Sequence, residues 1–228
     1  MYYKNPVIIS DIHLGSENSR TDELYDFLDN LKEIDLLVIN GDLFDSLDSR
    51  LNKKHWKILS KLRKMSDDLK LVWCVGNHDY PHPEIIGHLI GAEICDEFKF
   101  ETGENNIVSV ICIHGHIWDD FITKHPVITY IADFIYNIAQ RFDKNHNIAK
   151  WLKSSSKSFL RCKDKIKEEA LQYLLNCDAN IIVCGHTHFP ENHGKYFNSG
   201  CWTEIPPSYL IFQDGNCIIQ KYQNSRVV

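Results

Sequence analysis

Apolar residues recur along this chain in short runs, and several of these runs end in a polar cluster. Five runs are rich in Val, Ile and Leu and have the length of buried β-strands. In chain order they read PVIIS, IDLLVIN, LKLVWCV, IVSVICI and NIIVC. Each is followed directly by a group of residues that contains Gly, His or Asp. The chain therefore repeats one arrangement five times, a strand that ends in polar side chains.

The segments between the first three runs have helical periodicity. The apolar positions that recur at helical spacing are Leu24, Phe27, Leu28 and Leu31 in the first segment and Trp56, Leu59 and Leu62 in the second. Strands that alternate with helices predict an α/β architecture. In sheets of this kind, ligands bind in the crevice at the carboxyl ends of the strands. We therefore expect the polar clusters to meet at one edge of the fold.

The polar clusters contain two carboxylates, four imidazoles and one amide that could bind metal. These residues are Asp11, His13, Asp42, Asn77, His114, His186 and His188. Donors of this kind without a thiolate suit manganese first, with iron or zinc as alternatives. Seven ligands are too many for one ion, and one aspartate can bridge two. Two divalent ions roughly 3.5–4 Å apart promote in-line displacement at phosphorus and lower the pKa of a shared water, which would be the nucleophile.

Each cluster taken alone also has a structural explanation. Gly, Asn and Asp favour turns, Asp45 in GDLFD could cap a helix, and GHTH could be a turn with two surface histidines. However, six of the twelve histidines follow predicted strands together with aspartates at fixed offsets. That coincidence favours the metal site.

Composition restricts the class of protein. The chain has 228 residues, of which 43% are hydrophobic and 25% charged, enough for one domain with an insertion. Its net charge of −6 argues against general nucleic-acid binding. The sequence shows no signal-peptide pattern and no window of about 18 apolar residues, and we therefore expect a cytoplasmic protein. The eight cysteines lack C-x-x-C spacing, and we expect them to be reduced and buried.

The ordered motifs D-x-H, G-D-x-x-D, G-N-H-D, H-G-H and G-H-T-H resemble those of the calcineurin-like metallophosphoesterase superfamily. The resemblance implies one α/β domain over residues 1–228, a two-layer β-sandwich flanked by helices, with a helical cap insertion at about 119–176. It implies one ion held by Asp11, His13, Asp42 and His188, and a second held by Asp42, Asn77, His114 and His186. Asp42 would bridge the two ions.

The same resemblance implies a catalytic pair within the motif G-N-H-D. His78 matches the histidine that contacts the phosphate and protonates the leaving group, and Asp79 would orient it. The expected activity is hydrolysis of a phosphate ester or pyrophosphate bond. The alternative is a scaffold for protein assembly that keeps the fold without catalysis. Because all seven ligands and His78 are present, the enzyme is favoured.

A narrower resemblance concerns the substrate. The segments SDIHLG, GDLFD, GHTHFPE and YFNSGCWTE resemble the bacterial UDP-2,3-diacylglucosamine pyrophosphatase branch, which acts in lipid A synthesis. Two positions depart from that branch, because His78 replaces an Arg and His116 stands where the motif reads H-G-D. A member of the same branch with a different substrate is therefore the alternative.

The predicted cap insertion has two interpretations. An apolar stripe that includes Val127, Ile131 and Phe134 precedes residues 144–167. That segment contains eight Lys or Arg and one acidic residue, which gives it a local net charge of +7. These features indicate either a helix packed on the core with a solvated basic face, or a cap that binds an amphiphilic anionic substrate or contacts a membrane surface. On the second interpretation the substrate is a small phosphate compound that is nucleotide- or lipid-linked. Its candidate contacts are Asp119, Lys157 and Arg161.

Overall fold

Two β-sheets form the framework of the protein. The computed structural model describes residues 1–46, 48–119 and 157–223. The strands of the first sheet are β1 (Pro6–Ile9), β2 (Leu36–Asn40), β3 (Lys70–Cys74), β4 (Glu93–Cys95), β10 (Ser208–Gln213) and β11 (Asn216–Lys221). Their order is β11-β10-β1-β2-β3-β4. The strands β1 to β4 are parallel, whereas β10 is antiparallel to β1 and β11 to β10.

The second sheet faces the first. Its strands are β5 (Glu97–Thr102), β6 (Val108–Ile113), β7 (Ile181–Cys184), β8 (Glu191–Asn192) and β9 (Tyr196–Asn198). Their order is β5-β6-β7-β9-β8, with β6, β7 and β9 parallel. The five strands predicted from the sequence are therefore β1, β2, β3, β6 and β7, and they are divided between the two sheets.

Strand β2 shows how side-chain alternation builds both layers of the core. Leu36 and Val38 point between the sheets, where they share a buried cluster with Val183 of β7. Leu37 and Ile39 point the other way and join the cluster beneath the helices. A strand that is covered on both faces is apolar throughout, which explains the uninterrupted apolar run in the sequence.

Helices cover the outer faces of both sheets. They are α1 (Thr21–Asn30), α2 (Lys53–Met65), α3 (Pro83–Ile90) and α4 (Lys157–Leu175). The first three pack on the first sheet, and α4 packs on the second through Ala170 and Leu174. This arrangement confirms the predicted two-layer sandwich flanked by helices.

The predicted helical stripes are largely correct, with one exception. Leu24, Phe27 and Leu28 are buried in α1, and Leu59 and Leu62 are buried in α2. However, Trp56, which shares the helical spacing of Leu59 and Leu62, is 58% exposed. In α2 the buried positions beside Leu59 and Leu62 are instead His55, Ile58 and Met65.

Most of the predicted cap insertion lies outside the described residues. The apolar stripe over 127–142 and the first part of the basic run belong to the segment 120–156. The end of the predicted insertion is helix α4, whose Ile166, Ala170 and Leu174 are buried. None of the described helices is long and apolar enough to cross a membrane.

Candidate metal centre

The loops at the carboxyl ends of the strands meet at one edge of the sandwich. The N–H of Asp11, after β1, donates to the carbonyl of Gly41, after β2, at 3.0 Å. The N–H of Gly185, after β7, donates to the carbonyl of His114, after β6, at 3.0 Å. The side-chain amide of Asn40 links the two sheets by donating to carbonyls near the ends of β6 and β7, at 3.3 and 3.1 Å. The predicted convergence of the polar clusters is therefore present in the structure.

Asp11, His13 and His188 form the first group of potential ligands. The Nε2 atoms of His13 and His188 are 3.1 Å apart, and Nε2 of His188 is 3.2 Å from Oδ1 of Asp11. One ligand atom from each of the three residues lies within 4.8 Å of the other two. This spacing is suited to one metal ion held between them.

Asp42, His114 and His186 form a second group that meets the same spacing. The Oδ2 atom of Asp42 is 3.2 Å from Nε2 of His114 and 3.7 Å from Nε2 of His13. Asp42 therefore lies between the two groups, in the position that the sequence assigned to a bridging ligand. Its role as a bridge remains a prediction.

Several donor atoms at the centre fit metal binding. Oδ1 of Asn77 is buried and has no hydrogen-bond partner among the described residues, an arrangement that is costly without a ligand. Nε2 of His114 is also buried and faces the Asp42 carboxylate at 3.2 Å. Burial lowers the pKa of His114, but the carboxylates of Asp42 and Asp11 outweigh it and raise the pKa to about 10. The centre therefore favours positive charge, and its nitrogen and oxygen donors suit a divalent cation.

Backbone conformation also distinguishes the predicted ligands. Five of them have φ between +52° and +66°, in the left-handed region that non-glycine residues rarely occupy. They are Asp11, His13, Asp42, His186 and His188. Such conformations cost about 1–3 kcal/mol each and cluster at functional sites, where the surrounding structure enforces them. The sequence motifs gave no direct signal of this strain.

Asp79 fixes the backbone of two strand-end loops. Its buried carboxylate accepts the N–H groups of Gly76, Asp42 and Phe44 at 2.8, 2.9 and 3.2 Å and the indole N–H of Trp73 at 3.0 Å. Burial raises the pKa of Asp79 to about 6, and repulsion from Asp42 adds to this effect while the N–H donors oppose it. Asp79 therefore holds the loop that carries Asp42 against its own loop.

No hydrogen bond joins Asp79 to the ring of His78 among the described residues, and the predicted orientation of His78 by Asp79 stays a prediction. The oxygens of Asp79 are occupied by the donors described above, whereas Nδ1 of His78 lies 2.7 Å from the main-chain carbonyl of Asp45. The carboxylate of Asp45 lies 3.3 Å from Nδ1 of His13. Asp45 does not cap a helix, because α2 begins only at Lys53. Asp45 thus supports two imidazoles of the centre, a role that the sequence analysis missed.

Two glycines permit the close approach of these loops. A Cβ atom at Gly41 would collide with the ring of His114, and one at Gly76 would collide with the carboxylate and backbone of Asp42. Gly41 also has a φ of +90°. Glycine is therefore required by space at both positions and by conformation at the first.

The three predicted substrate contacts have different outcomes. Asp119 is buried, and its Oδ2 lies 2.9 Å from Nε2 of His186. Arg161 is exposed on α4. Lys157 is the first residue of α4, and its side chain lies outside the described part of the chain. Contact of these residues with a substrate remains a prediction.

A buried ion pair that the sequence did not reveal joins α4 to strand β8. Lys163 pairs with Glu191, and these side chains are only 12% and 8% exposed. The ammonium of Lys163 also lies 4.6 Å from the ring centroid of Phe189. Because the pair joins residues 28 positions apart, periodicity alone could not identify it.

The family to which the sequence is similar is consistent with the metal-binding residues described above. Residues 6–190 match the family model described as calcineurin-like phosphoesterase. No curated protein matches the chain.

Three solved structures show a distant likeness. The phosphoesterase Yfce from E. coli is 18% identical over 96% of this chain and 100% of its own, with a TM-score of 0.49. A predicted phosphoesterase from Streptococcus pneumoniae TIGR4 is 16% identical over 97% and 90%, with a TM-score of 0.42. Vps29 from Chaetomium thermophilum is 13% identical over 95% and 96%, with a TM-score of 0.49. These likenesses are too distant to inform function.

The Asp79 contacts predict a graded loss of stability. Asp79→Ala leaves four buried donors without an acceptor, so we expect the free energy of unfolding to fall by about 3 kcal/mol or more. Asp79→Asn should lose only about 1 kcal/mol, because the amide oxygen still accepts and the removed charge was disfavoured by burial. Urea denaturation of the metal-free protein measures both, with the exposed Asp178→Ala as control. Equal losses in the two variants would contradict this account.

The position of Asp42 predicts that its removal affects both ions. Asp42→Ala should abolish activity and sharply reduce bound manganese, because the carboxylate faces both ligand groups. Metal content per chain after equilibrium dialysis measures the loss, and the exposed Asp67→Ala is the matched control. Retention of two ions, or substantial activity in a metal-loaded variant, would exclude Asp42 as the bridge.

Proposed function

The chain belongs to the calcineurin-like phosphoesterase family, and on that basis we propose that it hydrolyses a phosphate ester or anhydride with two divalent metal ions. The observation that carries the proposal is the position of Asp42 between two groups of potential ligands. Manganese is the ion that we propose first, with iron or zinc as alternatives, because the donors are nitrogen and oxygen.

The chain's own residues divide between the two ions. Asp11, His13 and His188 would hold one, Asn77, His114 and His186 the other, and Asp42 both. Bound ions of this kind supply a hydroxide nucleophile near neutral pH and neutralise charge on a phosphoryl group. The protein fixes the ligands through strained backbone and buried hydrogen bonds, so that little reorganisation is needed at the moment of reaction.

His78 is the proposed proton donor to the leaving group. A His78 nitrogen lies within 4.8 Å of ligand atoms of His13 and Asp42, so the imidazole borders the centre. Since a carbonyl can only accept, the bond to Asp45 places a hydrogen on Nδ1 of His78. To act as a proton donor His78 must be in the imidazolium form, in which Nε2 also carries a hydrogen and is the nitrogen available to a substrate oxygen. This assignment needs no contribution from Asp79.

Removal of His78 should matter most for poor leaving groups. General-acid catalysis contributes roughly 10²–10⁴-fold and has little effect on a leaving group that departs unaided. We therefore expect His78→Ala to lower kcat strongly for alkyl and weakly for activated aryl phosphates, with nearly normal metal content. Measuring kcat across aryl phosphates of graded leaving-group pKa tests this.

The exposed His88→Ala on α3 is the matched control. A uniform loss along the series would make His78 a phosphate-positioning residue, and a loss of metal would make it a ligand. If metal-loaded wild-type protein hydrolyses none of a broad panel of phosphomonoesters, diesters and pyrophosphates, the scaffold alternative would replace the enzyme.

We further propose that the substrate is amphiphilic and anionic, with UDP-2,3-diacylglucosamine or a related nucleotide- or lipid-linked pyrophosphate as the first compounds to test. Exposed apolar side chains close to the ligands in sequence support this proposal. Phe189 directly follows His188, and Ile117 follows His114 by three residues; these side chains are 41% and 57% exposed. The exposed Arg161 on α4 adds a cation suited to phosphate.

The substrate proposal predicts selective effects of the basic residues. Neutralising Lys157 and Arg161 together should raise KM for an anionic nucleotide or lipid pyrophosphate by more than it raises KM for a small aryl phosphate, because only the larger substrate reaches them. Steady-state kinetics with both substrates measures the difference, and neutralisation of the exposed Lys64 on α2 is the control. Equal effects on both substrates would assign the two residues a structural role.

A further inference from the structure

Asp119 is held rigidly beside the second group of ligands. It follows a short 3-10 turn over His116–Trp118, and its N–H donates to the carbonyl of His116 at 3.0 Å. Trp118 within the turn packs against Tyr173 of α4, with ring centroids 5.7 Å apart. The position of the Asp119 backbone is therefore fixed by the protein itself.

The side chain of Asp119 binds an imidazole and not open solvent. Its Oδ2 lies 2.9 Å from Nε2 of His186, and both side chains are 8% exposed. An ionised carboxylate only accepts hydrogen bonds, so this contact places a hydrogen on Nε2 of His186. In the neutral imidazole, which is the form that binds a metal ion, Nδ1 then keeps its lone pair.

His186 is held at its backbone as well as at its ring. Its N–H donates to both oxygens of Asp11 at 3.1 Å, and its φ of +66° aims the side chain from a strained loop. With the backbone fixed by Asp11 and Nε2 fixed by Asp119, the ring has one orientation. Carboxylates that bind the second nitrogen of a metal-binding histidine set its tautomer and raise its basicity.

We propose that Asp119 is a positioning residue that fixes the tautomer of His186 and presents Nδ1 to the second metal ion. The inference rests on the proposed metal centre and deepens it. It is an alternative to the expectation from sequence that Asp119 contacts the substrate. It also differs from direct ligation, because Asp119 lies outside the groups of described side chains whose ligand atoms share a 4.8 Å spacing.

Metal titration of the protein without substrate tests the proposal. We expect Asp119→Ala to weaken manganese binding at one of the two sites by about 10–100-fold. The manganese affinity of the other site should stay within about threefold of the wild-type value. Asp119→Asn should recover much of the lost affinity, because its amide oxygen still accepts from Nε2–H. Isothermal titration calorimetry on metal-free protein measures both sites. The exposed Asp178→Ala is the matched control and should match the wild type.

Three results of the titration would overturn the proposal. An unchanged metal affinity in Asp119→Ala would remove the positioning role, and a raised KM of that variant in separate kinetic assays would make Asp119 a substrate contact. Equal loss beyond about 100-fold in both variants would make it a direct ligand, since outer partners contribute less. Equal weakening of both sites would point to general structural damage.

A second measurement uses the wild-type protein and so does not depend on the folding of a variant. Nitrogen-15 NMR of the metal-free protein should show His186 with its hydrogen on Nε2. A hydrogen on Nδ1 with none on Nε2 would overturn the inference. Binding of manganese by the wild type reports on the proposed centre, whereas the difference between variants reports on Asp119, so the two can fail separately. A wild type that binds no manganese would remove both.

Discussion

Burial of three carboxylates at the ends of the strands is the constraint on which the rest of the site depends. Asp11, Asp42 and Asp79 are all nearly inaccessible to solvent, and a buried charge is costly unless donors surround it. The structure meets this requirement because each carboxylate accepts a hydrogen bond from an N–H group of a different loop. The N–H of His186 donates to Asp11, that of His78 to Asp42, and that of Asp42 to Asp79. Each loop thus stabilises the charge of another, and none can move independently.

These crossed contacts explain how the site tolerates strained backbone. Five predicted ligands adopt left-handed conformations, which unconnected loops would relax. The acceptors are buried anions, for which hydrogen bonds are stronger than for neutral groups, and the glycines at 41 and 76 allow the loops to approach. The outcome is a set of imidazoles and carboxylates whose positions are fixed by contacts within the protein. Preorganisation of this kind is what a phosphoryl-transfer centre requires.

Much of this arrangement could be predicted from the sequence because it follows from local order along the chain. An apolar run that is buried on both faces must be a strand within the fold, and the polar residues after it must lie at the strand's end, which located Asp11, Asp42 and His114. The exposure of Trp56 could not be predicted, because Trp56, Leu59 and Leu62 are themselves at helical spacing and nothing in that pattern shows that the buried stripe passes through His55 and Ile58 instead. The partners of Asp79 and Asp119 could not be predicted either, since both carboxylates bind groups brought together only by tertiary packing. The segment 120–156 leaves the predicted cap without a structural test.

The central claim is a dinuclear centre bridged by Asp42, and diffraction at the manganese absorption edge tests it most directly. Crystals grown with Mn²⁺ should give two anomalous peaks on either side of the Asp42 carboxylate, roughly 3.5–4 Å apart. One peak should contact Asp11, His13 and His188, and the other Asn77, His114 and His186. A single peak at full occupancy, or two peaks that do not share Asp42, would contradict the account.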